Sequence, residues 1–261
     1  MVSRFRLITF DATNTLLRFR ESVGQAYSGV ANMYGVSSDP KRLNTSFRTE
    51  WKKMVAEHPN FGCKSGLSSQ QWWSELVRRT FLLSGCDAAN DRVMAVIAGH
   101  LYESYKTPNC WTPNNGTAEV LETLRMSGHT LGVISNTDER LDCILTNLKL
   151  RHYFDFVIAS SVVKVEKPSN DIFSLALSRA GNGRPVKPED ALHVGDNVEL
   201  DYLASKAAGW SALLLVNHDA NVKKVAAMKV VEPSHVVYRL SDVVKKAYDV
   251  ESRQATELQE K

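Results

Sequence analysis

Cysteine is scarce in this chain of 261 residues, and its four cysteines (Cys63, Cys86, Cys110 and Cys143) share no short spacing. Without a Cys-x-x-Cys pair there is no zinc knuckle and no dithiol redox motif, so these are expected to be reduced, structural thiols of an intracellular protein. Long apolar runs are also missing. No stretch approaches the ~18 uncharged apolar residues that a membrane span needs, and the run near Met1 is too short for a secretory signal. Charge of one sign is not in excess either: 32 basic against 29 acidic residues give +3, with both signs scattered along the chain. A dedicated nucleic-acid or membrane-surface protein would carry a basic block. The seven histidines show no ligand spacing, and no segment is rich enough in Pro, Gly or Ser to be a linker. The expectation is a protein of the cytoplasm, with the nucleus left open, that binds neither nucleic acid nor membrane.

What the chain does have is ordinary globular composition, 43% hydrophobic and 23% charged, and enough length to bury a core without disulfides. Its pattern changes along the way. Leu7-Ile8-Thr9-Phe10 is a short apolar run ending in Asp11, which predicts a buried strand. From Arg20 to Tyr105 the spacing turns helical, as in Val23, Ala26, Tyr27, Val30 and in Trp72, Trp73, Leu76, Val77, Phe81. After Pro113, strands and helices alternate. Strands are predicted at 131–135, 154–159, 191–194 and 211–216, and helices at 117–126, 139–148, 171–180 and 200–208.

Such alternation implies βαβ units, and hence an α/β fold: a doubly wound, parallel-sheet, Rossmann-like core. We assign residues 1–18 and 110–248 to that core, 19–109 to an inserted all-helical cap, and 249–261 to a polar, frayed tail. Ligands of open α/β sheets bind at the carboxyl ends of the strands. The insertion leaves the end of the first strand, so it is placed to act as a lid over a site there.

The residues at those strand ends can do chemistry. The first predicted strand ends in Asp11, the second in Ser135-Asn136 and the fourth in Gly195-Asp196. Lys167 follows the third strand, and Asp201 lies five residues beyond Asp196. Carboxylates, hydroxyl donors and an ammonium that converge on one pocket suit phosphoryl transfer. Paired carboxylates hold Mg²⁺, one of them can act as nucleophile, and the donors stabilise the charge on the transferring group.

Four motifs in order, Phe10-Asp11-Ala12-Thr13-Asn14-Thr15-Leu16-Leu17, Val133-Ile134-Ser135-Asn136, Glu166-Lys167-Pro168 and Val194-Gly195-Asp196-Asn197 with Asp201, resemble those of the haloacid dehalogenase superfamily. The resemblance covers residues 5–17 and 115–220, and the helical insertion looks like the cap that this family places after its first motif. It implies a Mg²⁺-dependent phosphohydrolase acting on a small phosphorylated metabolite. Asp11 would be the nucleophile and, with Asp196, a metal ligand, and the Thr13 backbone carbonyl would supply another. Ser135 and Asn136 would bind the phosphoryl group, and Lys167 would neutralise charge beside it. Asp201 would complete the metal site by orienting a bound water or Lys167.

Thr13 departs from the pattern, which has an acid/base aspartate there. A threonine hydroxyl cannot shuttle a proton as a carboxylate does, a contribution of ~10²–10⁴ in rate. Asn14 replaces the usual glycine and tolerates the left-handed turn conformation. The alternatives are therefore a weak or inactive member acting as a binding or regulatory protein, a phosphotransferase, and a metal-independent dehalogenase. The last expects an aromatic residue in place of Thr13. Outside the motifs, adjacent Trp72 and Trp73 must point to different sides of a helix. Pro59-Asn60-Phe61-Gly62 predicts a turn between cap helices, Arg18 and Arg20 look like hinge residues, and His193 falls inside a strand.

Overall fold

The computed structural model describes residues 5–86, 90–181, 184–216 and 229–248; the 249–261 tail lies outside them. Strand β1 (Leu7–Phe10) is buried at every position, and the chain then forms a three-residue strand β2 (Leu17–Phe19) before the helices begin. Those are α1 (Val23–Met33), α2 (Pro40–Glu57), α3 (Ser69–Leu83) and α4 (Asp91–Ser104). Serine capping boxes start two of them: Ser22 pairs with Gln25, and Ser68 with Gln71. The chain returns through β3 (Trp111–Pro113), which pairs antiparallel with β2. Three-residue strands, one of them ending in proline, carry too little alternation for the sequence to reveal this ribbon. Arg20 fastens its base by donating to the carbonyls of Pro108 (2.5 Å) and Trp111 (3.0 Å).

Alternation then follows the expected order: α5 (Thr117–Met126), β4 (Thr130–Ser135), α6 (Arg140–Asn147), β5 (Phe156–Ala159), the single turn α7 (Ser160–Val163), α8 (Asn170–Ala180) and β6 (Ala191–Gly195). The predicted helix at 200–208 is instead a π-helical turn, Val198–Leu203, running into a short α9 (Ala204–Ala207). Strand β7 (Ser211–Leu215) and a two-residue β8 (Val236–Val237) complete the sheet, the latter unmarked in the sequence by any apolar run long enough to read.

The six-stranded sheet runs β5-β4-β1-β6-β7-β8, and every pairing is parallel. Side-chain alternation divides its strands between two cores. Ile8, Phe10, Leu131 and Val133 pack with Leu121, Leu124 and Leu145 on one face, while Leu7, Ile134 and Ile158 pack with Ile172, Phe173 and Ala176 on the other. Helices cover both faces, so this is a doubly wound α/β sheet. Strand order reverses between β1 and β6, which opens a crevice at their carboxyl ends. Helices α1–α4 hold a core of their own around Leu43, Phe81, Ile97 and Leu101. Among the described residues no helix is long and apolar enough to cross a membrane.

Candidate active site

The crevice gathers Asp11, Lys167, Asp196 and Asp201. The Lys167 ammonium, 2% exposed, donates to Asp11 Oδ1 (2.8 Å), to Asp201 Oδ1 (2.5 Å) and to the Ile134 carbonyl (2.9 Å). All three of its protons are thus spent on oxygen acceptors. Burial works against that charge, but Asp11 and Asp201 outweigh it and push the ammonium up to about 12.

Asp201 sits in the π-helical turn, a rare element that recurs at functional sites. It folds back toward β6, where the Asn197 backbone N–H donates to Oδ2 (2.9 Å) and His193 Nε2 lies 3.2 Å from Oδ1. That approach requires Gly195: a Cβ there would lie 2.2 Å from the Asp201 Cγ. Burial raises the Asp201 carboxyl, yet Lys167 and His193 outweigh it and hold it below the usual carboxylate range. His193 is itself fully satisfied. Its Nδ1 is 2.8 Å from Thr9 Oγ1, and burial holds the ring below its ordinary value. The strand position predicted only a core histidine, because nothing in the sequence shows that a turn eight residues later returns to it.

Carboxylate oxygens of Asp11, Asp196 and Asp201 lie within 4.8 Å of one another. Burial, then the charges of Asp11 and Asp201, push the Asp196 carboxyl up to about 7. Burial raises the Asp11 carboxyl too, in spite of Lys167. Three carboxylates facing one ammonium leave negative charge that a hard divalent cation would neutralise, and all three offer the oxygen donors that Mg²⁺ prefers. The cluster fits such an ion.

Ser135, 2% exposed, lines the crevice at the end of β4. Asn136 has a second task beyond the expected one. Its amide oxygen accepts from the Lys167 backbone N–H and its NH₂ donates one proton to the Lys167 carbonyl, each over 2.8 Å, so the side chain clamps the lysine segment while lining the crevice with its second N–H to spare. Thr13 and Asn14 line the crevice beside Asp11, and Asn14 does adopt a left-handed conformation (φ 62°).

From this floor a cavity of about 640 Å³ extends up to the helical insertion. Of the adjacent tryptophans, Trp72 is fully buried beside Met54 and Leu76, whereas Trp73 lines the cavity. Phe61, from the predicted turn, lines it as well, but Arg18 and Arg20 do not. Sequence reasoning missed Arg48, Trp51, Lys52, Asp138 and Arg140 in the lining. The available signal was the four-residue spacing of Phe47 with Trp51 and of Arg48 with Lys52, which puts both pairs on adjoining stripes of α2.

A parallel sheet carrying an aspartate, a lysine and an acidic pair at its switch point is the framework of a hydrolase superfamily, and the family comparison agrees. Residues 5–209 match the family model of haloacid dehalogenase-like hydrolases, and the chain belongs to that family. It is 41% identical over 258 residues to the rhythmically expressed gene 2 protein of Drosophila melanogaster, covering 95% of this chain and 97% of that one. It is 38% identical over 217 residues to human haloacid dehalogenase-like hydrolase domain-containing protein 3, covering 83% and 84%. Among solved structures, the L-2-haloacid dehalogenase from Xanthobacter autotrophicus with chloropropionic acid covalently bound superposes with a TM-score of 0.62 at 18% identity, over 92% of this chain and 96% of that one. The putative HAD-hydrolase YfnB from Bacillus subtilis bound to magnesium gives 0.65 at 15% identity, over 94% and 99%. These likenesses extend the shared fold over almost the whole chain.

Proposed function

We propose that this hydrolase is a Mg²⁺-dependent phosphohydrolase of small phosphate monoesters. The observation that carries the reading is the Lys167 ammonium held between Asp11 and Asp201, with Asp196 completing a set of three carboxylates whose oxygens lie within 4.8 Å of one another. A floor so acidic suits a bound cation, and a dehalogenase, which runs without metal, has no use for it. Thr13 also stands where that class expects an aromatic residue.

In this reading Asp11, Asp196 and the Thr13 carbonyl hold the ion, which supplies charge neutralisation at the phosphoryl oxygens when bound. Asp201 acts through Lys167. An Asp11 carboxylate oxygen attacks phosphorus, the ester P–O bond breaks, and the alkoxide leaves with a proton taken from solvent. Water then attacks the aspartyl-phosphate, releasing inorganic phosphate and restoring the carboxylate. Ser135 donates to the phosphoryl oxygens, and Asn136 fixes the Lys167 backbone, so the ammonium is preorganised at no cost during the reaction. Helices α1–α4 serve as the cap that keeps water from the cavity.

Thr13 favours a second reading, a slow or inactive member that binds a phosphorylated ligand, since no carboxylate stands two residues after Asp11. Phosphate release from a generic aryl phosphate, with Mg²⁺ and then with chelator, tests the choice. Metal-dependent release is expected. Mg²⁺ binding without turnover across a broad monoester panel would leave the binding role in its place.

A further inference from the structure

The cavity is far larger than a phosphoryl group and differs in character at its two ends. Toward the insertion it is walled by Phe47, Trp51, Phe61 and Trp73. These rings contact one another: Phe47–Trp51 at 5.8 Å, Trp51–Trp73 at 5.5 Å, and Phe61 stacked on Trp73 at 6.0 Å and 26°. An aromatic wall could be no more than the edge of the insertion's core, but Phe61 argues otherwise. It and Asn60 are consecutive non-glycine residues with φ of 56° and 50°. That conformation is an outlier for a bulky side chain, and such strain persists where the surroundings enforce it. Here they do: Asn60 donates to the Ser160 carbonyl (3.0 Å) and accepts from the Ser160 hydroxyl (2.7 Å), which pins the turn to the sheet's end. The fold thus holds Phe61, in a costly backbone state, with one side against Trp72 and the buried cluster behind it and the other at the cavity.

The insertion also brings charge of one sign. Among the described residues, its charged groups at the cavity are Arg48 and Lys52, and it contributes no carboxylate there. Neither makes an ion pair among the described residues. Asp138 and Arg140, the other charged groups near this end, are bound to each other at 2.7 Å. In the phosphohydrolase reading, the phosphoryl group's own charge is met at the floor, by the bound ion and Lys167.

We propose, on the basis of the phosphohydrolase reading, that the substrate is a phosphate monoester whose leaving group is a flat aromatic or heteroaromatic ring bearing a second negative charge. The ring lies against Trp51, Phe61 and Trp73, and the second charge reaches Arg48 and Lys52. Ring–ring contact adds to the burial of a flat apolar surface, and the two cations draw a doubly anionic ester toward the mouth.

Three esters of primary alcohols test this without large differences in leaving-group acidity: n-butyl, benzyl and para-carboxybenzyl phosphate. With Mg²⁺ present, kcat/KM is expected to rise roughly tenfold or more from butyl to benzyl, and again from benzyl to para-carboxybenzyl. Trp51→Leu should erase the first ratio. Lys52→Ala, at an exposed position, should cut the second ratio severalfold, and Arg48→Ala with Lys52→Ala should erase it, while both spare the first. Equal turnover of all three esters overturns the ring and the second charge while leaving a phosphohydrolase. Lys52→Ala slowing benzyl and para-carboxybenzyl phosphate alike would place the cations at the phosphoryl group and overturn the second charge. If no ester is hydrolysed, tryptophan fluorescence on titration with benzyl- and butylphosphonate decides separately. Preference for the ring then upholds the ring-binding wall while the phosphohydrolase reading falls, and no preference overturns both.

Discussion

Trp73 of the helical insertion donates its indole N–H to Asp138 Oδ2 over 2.6 Å, and Asp138 belongs to the loop that follows β4. The acceptor is 1% exposed and already pairs through both oxygens with Arg140, whose guanidinium stacks over Trp73 (4.8 Å) and Tyr102 (4.2 Å). One buried ion pair therefore fastens the insertion to the sheet beside the cavity.

Trp73→Phe keeps a ring over Arg140 but deprives a buried carboxylate of one donor. A hydrogen bond to a charged group contributes about 1.5–3 kcal/mol, so denaturant unfolding should show a loss in that range. In an Asp138→Asn background the same change should cost less, because the acceptor no longer carries a charge. Equal losses would mean that the Trp73–Asp138 link does not hold the insertion down.

Lys167→Met should abolish turnover and also destabilise the protein. Removing the one cation leaves Asp11 and Asp201 buried and facing each other, and breaking a buried pair in this way costs about 3–5 kcal/mol. Added Mg²⁺ should recover part of the stability, since it replaces the missing positive charge, but none of the activity. Thermal unfolding with and without the ion checks both statements.

The Asp196 carboxyl gives a pH dependence of known sign. Its value is about 7 in the folded, metal-free protein against 3.8 ordinarily. Between those limits the unfolded chain has released the proton that the folded one retains, so the group's contribution to stability is complete below about pH 4 and is lost as pH rises through 7. A bound cation requires the ionised form. Mg²⁺ affinity should therefore fall about tenfold per unit as pH drops below 7, with proton release on binding measurable by calorimetry in two buffers. Asp196→Asn should flatten this dependence.

Thr13→Asp restores a carboxylate two residues after Asp11, where an acid/base group serves both the leaving oxygen and the attacking water. Steady-state turnover should rise by ~10²–10⁴. No gain would mean that proton transfer does not limit the wild-type rate.

The sheet was legible because its strands are short apolar runs bounded by polar turns, and Leu7–Phe10, Thr130–Ser135 and Ala191–Gly195 appear within a residue or so of where the runs stand. Asp11, Lys167 and Asp196 were legible because strand ends of a parallel sheet share one side. What escaped depends on contacts distant in sequence. The β2–β3 ribbon rests on a pairing of Leu17 with Pro113. The π-turn around Asp201 owes its place to Gly195, and the His193–Asp201 link exists because that turn folds back. The clamp that Asn136 places on Lys167 joins segments 31 residues apart, which no local pattern marks. The cavity wall mixes α2, the Asn60–Phe61 turn and α3, and no spacing along one segment announces such a surface.

The most direct test of the account is the fate of Asp11 during turnover. Wild-type protein mixed with aryl phosphate and Mg²⁺, then quenched in acid and digested, should carry a phosphoryl mass increment on the peptide containing Asp11. The adduct should accumulate because Thr13 cannot activate the hydrolytic water, and both adduct and turnover should vanish in Asp11→Asn. Undiminished phosphate release by Asp11→Asn, or a phosphoryl group on another residue, would contradict it.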